Sequence, residues 1–444
     1  MENRYWWKEA KIYELYVDKF AGDFSGLAAH ADYFSLLGIN CIHMLPHYPS
    51  PMVDDGYDIK DYRNVRPELG TLDDFRECIA ALHARGIRVI LDFVLNHVSS
   101  EHPWFIEARS SKMNSKRDFF LWSETAKEYA DAINAFPDIK SSNWIQNSQT
   151  EDFYYATFYP EQPDLNWDNP EVMKEMLANM DFWVGLGADG FRLDAAPHLI
   201  KRDGTNSKGL PETHAVLKKI RAHIDQHYPE VILLAEAHQS VAEMKTYFGN
   251  GDECHMAYHF CLMEQMLLAL MNNDRSRVDA MIEQSFNIPE NCQWAVFLRN
   301  HDEISLATLP DDERTHLVDF LDPKHEYPFM KGKYTSVRLA SALRGDRSAI
   351  IKAFELLYST PGAPVMYYGD EIGTLNLPLM PRILDTRKYV RGPFLWQEAE
   401  RQIADPHSLF HEAAALIEKP KQEPYEELIK KLPPITVEDQ LVSS

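Results

Sequence analysis

Short apolar and β-branched runs recur along this chain with longer stretches of helical period between them, and this alternation restricts the fold more than any other feature. Eight runs carry it: Ile12 to Tyr16, Asn40 to Leu45, Ile87 to Val94, Gly190 to Asp194, Val231 to Ala235, His255 to Phe260, Trp294 to Leu298 and Pro364 to Tyr368. A strand, a crossover helix and a second strand in one sheet leave the two strands parallel, so repeats of the unit build a parallel sheet covered by helices. Eight such units fit a closed barrel better than an open sheet. The expected class is therefore α/β, a (β/α)8 barrel.

The spacing breaks once. From Val98 to Glu171 the chain is rich in Trp, Tyr, Asn, Asp and Ser and poor in helical period. That length is too great for one crossover and predicts a small inserted domain at the barrel mouth. The expected division is 1–97 and 172–418 for the barrel, 98–171 for the insertion and 419–444 for a C-terminal tail. A final helix is expected from Pro406 to Glu418, before the KPKQEP punctuation, and the charged tail has room for a helix and loose ends at most.

Charge removes several function classes. Against 68 Asp and Glu stand 45 Lys and Arg, a formal net charge of -23, and no basic run is interleaved with aromatics. Nucleic acid and anionic membrane are poor partners for such a surface. Cys41, Cys78, Cys254, Cys261 and Cys292 are odd in number and never form a close CxxC pair, which argues against a disulfide framework or a zinc knuckle. The opening MENRYWWKEA lacks the pattern of a signal peptide, and no apolar stretch approaches 20 residues, so a soluble, cytoplasmic protein is expected.

Three carboxylates close predicted strands: Asp194 ends GFRLD, Glu236 ends VILLAE and Asp302 follows WAVFLRNH. Strand C-termini converge on the catalytic face of a barrel. A single strand-end Asp is as often a helix cap, but three together with Arg192 and His301 are harder to explain so. A retaining glycosidase needs one carboxylate as nucleophile and one carboxylic acid about 5 Å away to protonate the leaving oxygen. Arg192, two residues before Asp194 on the same strand, points to the same side and is expected to keep that Asp ionised. Glu236 must instead hold a proton near neutrality. His43, His47, His255 and His259 have no Glu or Cys to complete a metal set and read as packed or sugar-adjacent. Of Trp104, Phe119, Phe120, Trp122, Trp144 and Trp167, most are expected in the core of the insertion.

DFVLNH (92–97), GFRLD (190–194), Glu236 in LLAEA, RNHDE (299–303) and GDEIG (369–373) resemble, in order, the motifs of the α-amylase superfamily, glycoside hydrolase family 13. Within it the chain most resembles the trehalose synthases, which rearrange maltose to trehalose, through RDFFLWSE, SSNW, QPDLNWDNP, RDGTN, LPETHAVLK and GDECHMAYHF. The likeness runs from about residue 40 to residue 373 and then weakens.

The resemblance implies Asp194 as nucleophile, Glu236 as acid/base and Asp302 as stabiliser, with Tyr57, His97, Arg192 and His301 gripping the transferred glucose. It implies that Asp54 pairs with an Arg to close that subsite, and Arg391 in YVRGPF aligns as the partner. The family calcium would sit among Asn96, Asp164 and oxygens past Asp194. Lys201 stands there as in oligo-1,6-glucosidases, and it either fills the site as a compact cation or points into water. DKFAGDFSGL is more like amylosucrase than a calcium loop, so no metal and no cofactor is expected. Only 48 residues follow Trp396, too few for the family's C-terminal β-sandwich, which is expected to be absent; a homo-oligomer is one way to cover the exposed face.

The implied substrate is a small α-glucoside, maltose or a related disaccharide, processed by isomerisation or transglucosylation. Hydrolysis by an α-glucosidase is the alternative, favoured by the altered segment from Thr374 to Trp396. A non-catalytic binding subunit is the alternative of another class, disfavoured because no member of the carboxylate trio is lost.

Overall fold

The computed structural model describes residues 5–381 and 383–419. All eight predicted runs are strands: β1 Ile12–Leu15, β2 Cys41–Met44, β3 Arg88–Val94, β4 Gly190–Asp194, β5 Ile232–Ala235, β6 Met256–Tyr258, β7 Gln293–Phe297 and β8 Ala363–Tyr367. Each pairs in parallel with its neighbours in chain order, and β1 pairs with β8 to close the barrel. Side chains alternate across a strand, so β4 presents two different faces. Phe191 turns outward and packs edge-to-face on Phe93 of β3, with ring centroids 5.2 Å apart. Arg192 and Asp194 turn inward. The register sets Asp92 opposite Arg192 and Val94 opposite Asp194, which is why a β3 carboxylate meets the β4 guanidinium.

The surrounding helices follow from local chemistry. Leu72–His83 begins at a capping box in which Thr71 and Asp74 satisfy each other's backbone amides, and it buries Phe75, Cys78, Ile79 and Leu82 along one stripe. Ala31–Leu37 stops at Gly38, whose φ of 83° favours a residue without Cβ. Trp183 of helix Pro170–Gly185 is fully buried against His47 and Phe75; truncating it to Ala would cost about 3–5 kcal/mol.

Between β3 and β4 the chain forms helix Pro103–Ser110 and a three-stranded antiparallel sheet with 152–155 in the centre, flanked by 122–123 and 144–147. An isolated bridge from His97 to Asp164 stitches this region to the chain just past β3, and one from Phe120 to Leu165 closes the region on itself. Phe105 packs on Phe120 at 5.0 Å and on Tyr154 at 4.9 Å, so most of these aromatics do build local core. After β8 come a 3-10 segment, Thr386–Val390, and helices Trp396–Ile403 and Leu409–Glu418. The last starts three residues later than expected because Ser408, not Asp405, is its N-cap. The first of the two helices was not foreseen. Phe394 and Trp396 press on Phe20, centroids 4.7 and 5.0 Å away, and draw this segment onto the barrel flank. The tail beyond residue 419 lies outside the described residues. Among the described residues no helix is long and apolar enough to cross a membrane.

Candidate active site

The C-terminal ends of the strands open into a pocket of about 320 Å³ whose walls include Asp54, Tyr57, His97, Asp194, Glu236 and Asp302. The three carboxylates that the sequence set at separate strand ends therefore meet in one cavity. Arg192 lies beneath them, almost fully buried, and serves three acids at once. Its Nη1 donates to Asp92 at 3.0 Å and to Asp194 Oδ1, and its Nη2 reaches Glu236 Oε1 at 2.8 Å. Glu236 Oε2 accepts from the Ala195 amide at 3.0 Å, so both of its oxygens are held.

One guanidinium is thus shared among three carboxylates. Burial pushes the Asp194 carboxyl well above the usual carboxylate range; Arg192 opposes this, and Glu236 and Asp92 add to it. Arg192 lowers this carboxyl, as the sequence reading expects, but its charge is divided among three acids and burial outweighs it.

Asp302 stands in the opposite condition. Burial works against its charge, but His301, Arg387 and Arg391 outweigh it and hold the carboxyl well below its ordinary range. Its Oδ1 accepts from Arg391 at 2.8 Å and Arg387 at 3.3 Å, while His301 Nε2 lies 3.0 Å from Oδ2. His301 spans Asp302 and Glu14 Oε1, 2.9 Å from its Nδ1. Burial disfavours its cationic form, yet the two carboxylates push it up to about 9, so it is an imidazolium at neutral pH. Tyr57 stacks on this ring at 5.4 Å and donates its hydroxyl to Asp92 at 2.8 Å. His97 is different. Burial holds it down to about 4, and its Nε2 is buried without a protein partner on the pocket wall, free for a ligand hydroxyl.

Asp54 does not pair with Arg391. Its Oδ1 accepts from Arg387 Nη2 at 2.8 Å, and Arg391 goes to Asp55 at 2.6 Å and to Asp302. The two acids are adjacent, Arg387 lies on the 3-10 segment Thr386–Val390 and Arg391 caps its end, so each acid takes its own guanidinium. Arg387 is further fixed by Asp385, which also accepts from Tyr159 at 2.8 Å. Phe136 and Phe329 lie 5.0 and 5.5 Å from the Arg387 guanidinium carbon. Of these groups Asp54, Arg387, Phe136 and Phe329 line the pocket and form its end wall. Sequence reasoning missed Arg387, Asp55 and Glu14. For Glu14 a signal was present: one acid, fully buried, amid the apolar run IYELY.

A family model described as Alpha amylase, catalytic domain, matches residues 8–323. The chain belongs to the alpha-amylase family. It is 43% identical over 423 residues to trehalose synthase/amylase TreS of Mycobacterium tuberculosis, covering 91% of this chain and 69% of that protein. It is 41% identical to a trehalose synthase of Thermus thermophilus, covering 91% of this chain and 42% of that one. Among solved structures it is similar to the trehalulose synthase MutB from Pseudomonas mesoacidophila MX-45, with TM-score 0.74, 25% identity and coverage of 93% and 83%.

The oxygens at which an alpha-amylase family calcium is expected are taken by Lys201. Its buried ammonium lies 2.8 Å from Asn96 Oδ1, 2.5 Å from Asp164 and 2.5 Å from the His198 carbonyl. A divalent cation does not fit among donors already closed around a lysine. Of the two readings of Lys201, filled site or solvent, the first describes the geometry.

Proposed function

We propose that this alpha-amylase family protein is a retaining α-glucosyl transferase that isomerises or transglucosylates maltose or a related disaccharide. The observation that carries the reading is Asp194 and Glu236 bound to one guanidinium at the mouth of a pocket whose far end is closed by Asp54 and Arg387. Such a pocket accepts one glucosyl unit and leaves the scissile oxygen beside Glu236.

In the first half of the cycle Asp194 attacks the anomeric carbon through Oδ2, the oxygen not held by Arg192. The glycosidic C–O bond breaks, and the departing oxygen takes a proton from Glu236. The productive state of the carboxylate set therefore has its proton on Glu236. Positive charge develops on the ring near Asp302, which its three cationic neighbours keep ionised. In the second half an acceptor hydroxyl gives its proton to Glu236 and attacks the same carbon, and the bond to Asp194 breaks. Two inversions retain the α configuration. A retained glucose reattached through its anomeric hydroxyl makes trehalose, another sugar makes a transfer product, and water gives hydrolysis.

The relatives that carry the name trehalose synthase support the isomerising outcome. A cytoplasmic setting belongs to the same reading and is supported by five buried cysteines, all free thiols. Incubation of the pure protein with maltose, sucrose and trehalose in turn, with products separated by chromatography, tests it. Trehalose from maltose with little free glucose is the expected result. Free glucose from every donor would make the protein a hydrolase, and inertness toward all three would refute the proposal.

A further inference from the structure

Inside the barrel, below the pocket, lie charged side chains that the reaction cycle does not use. Glu14 on β1, His43 on β2 and Asp92 on β3 are fully buried, and none of the three lines the pocket. Glu14 stands opposite His43 in the β1–β2 register. The His43 ring lies between the two acids, with Nδ1 3.2 Å from Glu14 Oε2 and Nε2 3.2 Å from Asp92 Oδ2. Each acid in turn supports the site above it. Asp92 accepts from Arg192 at 3.0 Å and from the Tyr57 hydroxyl at 2.8 Å. Glu14 Oε1 accepts from the His301 amide at 2.8 Å and faces its Nδ1 at 2.9 Å. A continuous chain therefore runs from Asp194 through Arg192, Asp92, His43, Glu14 and His301 to Asp302, with His43 as its middle link.

The partners fix the charge of that ring. A third group, the Tyr258 hydroxyl on β6, donates to Glu14 Oε2 at 3.2 Å and lies 3.1 Å from His43 Nδ1. With the hydroxyl proton spent on Glu14, each ring nitrogen faces a carboxylate that only accepts. A neutral imidazole has one N–H and a ring with an acceptor at both nitrogens needs two, so His43 is an imidazolium. Burial opposes the cation, but the hydrogen bonds to Asp92 and Glu14 outweigh it and raise the ring above its ordinary range. Burial also opposes the acids, yet His301 and His43 hold Glu14, and Arg192 and His43 hold Asp92, below the usual carboxylate range. His47 shows the contrary case. It is equally buried, its ring packs on Tyr48 at 4.3 Å and on Phe75 at 5.4 Å, and neither nitrogen has a hydrogen-bond partner among the described residues. Burial, helped by Arg66, drives it down to about 3.

We infer that His43 is a positioning residue for glucosyl transfer: clamped between Glu14 and Asp92, it ties the support of the nucleophile to the support of Asp302 and places a positive charge under the pocket that keeps Asp194 able to act as an anion. This role rests on the reading of Asp194 as nucleophile and Glu236 as acid/base. The sign follows from the charges on either side. Arg192, His43 and His301 are set against Glu14 and Asp92, so the layer is cationic in net, and Asp194, Glu236 and Asp302 lie above it. Without the His43 charge those three carboxylates hold a proton more tightly, and Asp194 is neutralised at a higher pH. His43 touches neither sugar nor nucleophile; it acts through Asp92 and Glu14.

The test is the pH profile of kcat/KM for 4-nitrophenyl α-glucoside, read as nitrophenol in timed samples quenched with alkali. The acid limb of that profile marks the pH at which the free enzyme loses its nucleophilic anion. His43→Gln keeps a hydrogen-bond donor and loses the charge, while Arg192 and Tyr57 continue to hold Asp92 ionised. Its acid limb is expected to move up by about one pH unit. His43→Asn, shorter and equally neutral, is expected to show the same displacement, because charge and not shape sets it. His47→Gln removes an uncharged ring of the same depth and is expected to leave the limb in place. The limb is a position on the pH axis and not a height, so a partly unfolded preparation does not shift it. An unmoved limb in both His43 variants, or an equal shift in His47→Gln, would overturn the role of His43 and leave the nucleophile assignment standing. Full activity in Asp194→Asn would instead overturn that assignment.

Discussion

Replacing Lys201 with Ala removes the only side-chain cation in contact with Asn96 and Asp164 among the described residues, and the structure sets the scale of the loss. Asp164 is fully buried, and besides the lysine its carboxylate has, among the described residues, only the Thr157 amide, at 2.9 Å, and the Thr157 hydroxyl. Stranding a buried carboxylate by deleting its partner costs about 3–5 kcal/mol. At about 2.1 cal/mol/K of unfolding entropy per residue, a chain of 444 residues converts this into a fall in Tm of about 3–5 °C. Scanning calorimetry reads it directly. The variant Lys201→Met with Asp164→Asn strands no charge and is expected to recover most of the loss. His97 is bridged to Asp164 and adjoins Asn96, so KM should rise in the single variant and return in the double one. A fall of less than about 1 °C, or a double variant no better than the single, would refute the view that this ammonium ties the segment before β4 to the barrel.

Asp194→Asn is expected to lower turnover by more than about a thousandfold with the Tm little changed; steady-state kinetics beside calorimetry check it. Arg387→Lys keeps the charge but loses the planar fork that reaches Asp54, Asp385 and Asp302 together. KM for a disaccharide should rise about tenfold with a smaller change in kcat, and cleavage of longer α-glucosides should become measurable. His301, pushed up to about 9 by Asp302 and Glu14, carries an alkaline signature. Its folded pKa exceeds the unfolded value of about 6.5, so its contribution to stability is complete below that pH and is lost as pH rises through about 9. Tm measured from neutral to alkaline pH should decline over that window in the wild type and less steeply in His301→Gln.

The barrel was legible because each stave is a short run whose β-branched and apolar residues have few other uses, and all eight runs formed strands. The carboxylate trio was legible for a related reason: an acid at the end of such a run falls on the face where the strands converge. The end wall was harder. Asp54 and Asp55 are adjacent, Arg387 and Arg391 lie one helical turn apart, and both guanidiniums reach the site. No pattern in the chain says which acid takes which cation, since that depends on how the 3-10 segment Thr386–Val390 is turned against the closed end of the pocket. Charge state was legible least. Arg192 beside Asp194 reads as one pair, and only the fold brings Asp92 and Glu236 onto the same guanidinium.

That end wall also separates two parts of the site held by different constraints. Asp194, Glu236 and Asp302 sit at or just past staves whose hydrogen bonds close a complete ring, whereas Arg387 and Asp385 belong to a connection after the last stave, where no strand pairing constrains them. A lineage could therefore exchange its tolerance for long or short donors by redrawing a few residues after β8, with the bond-making apparatus inherited unaltered.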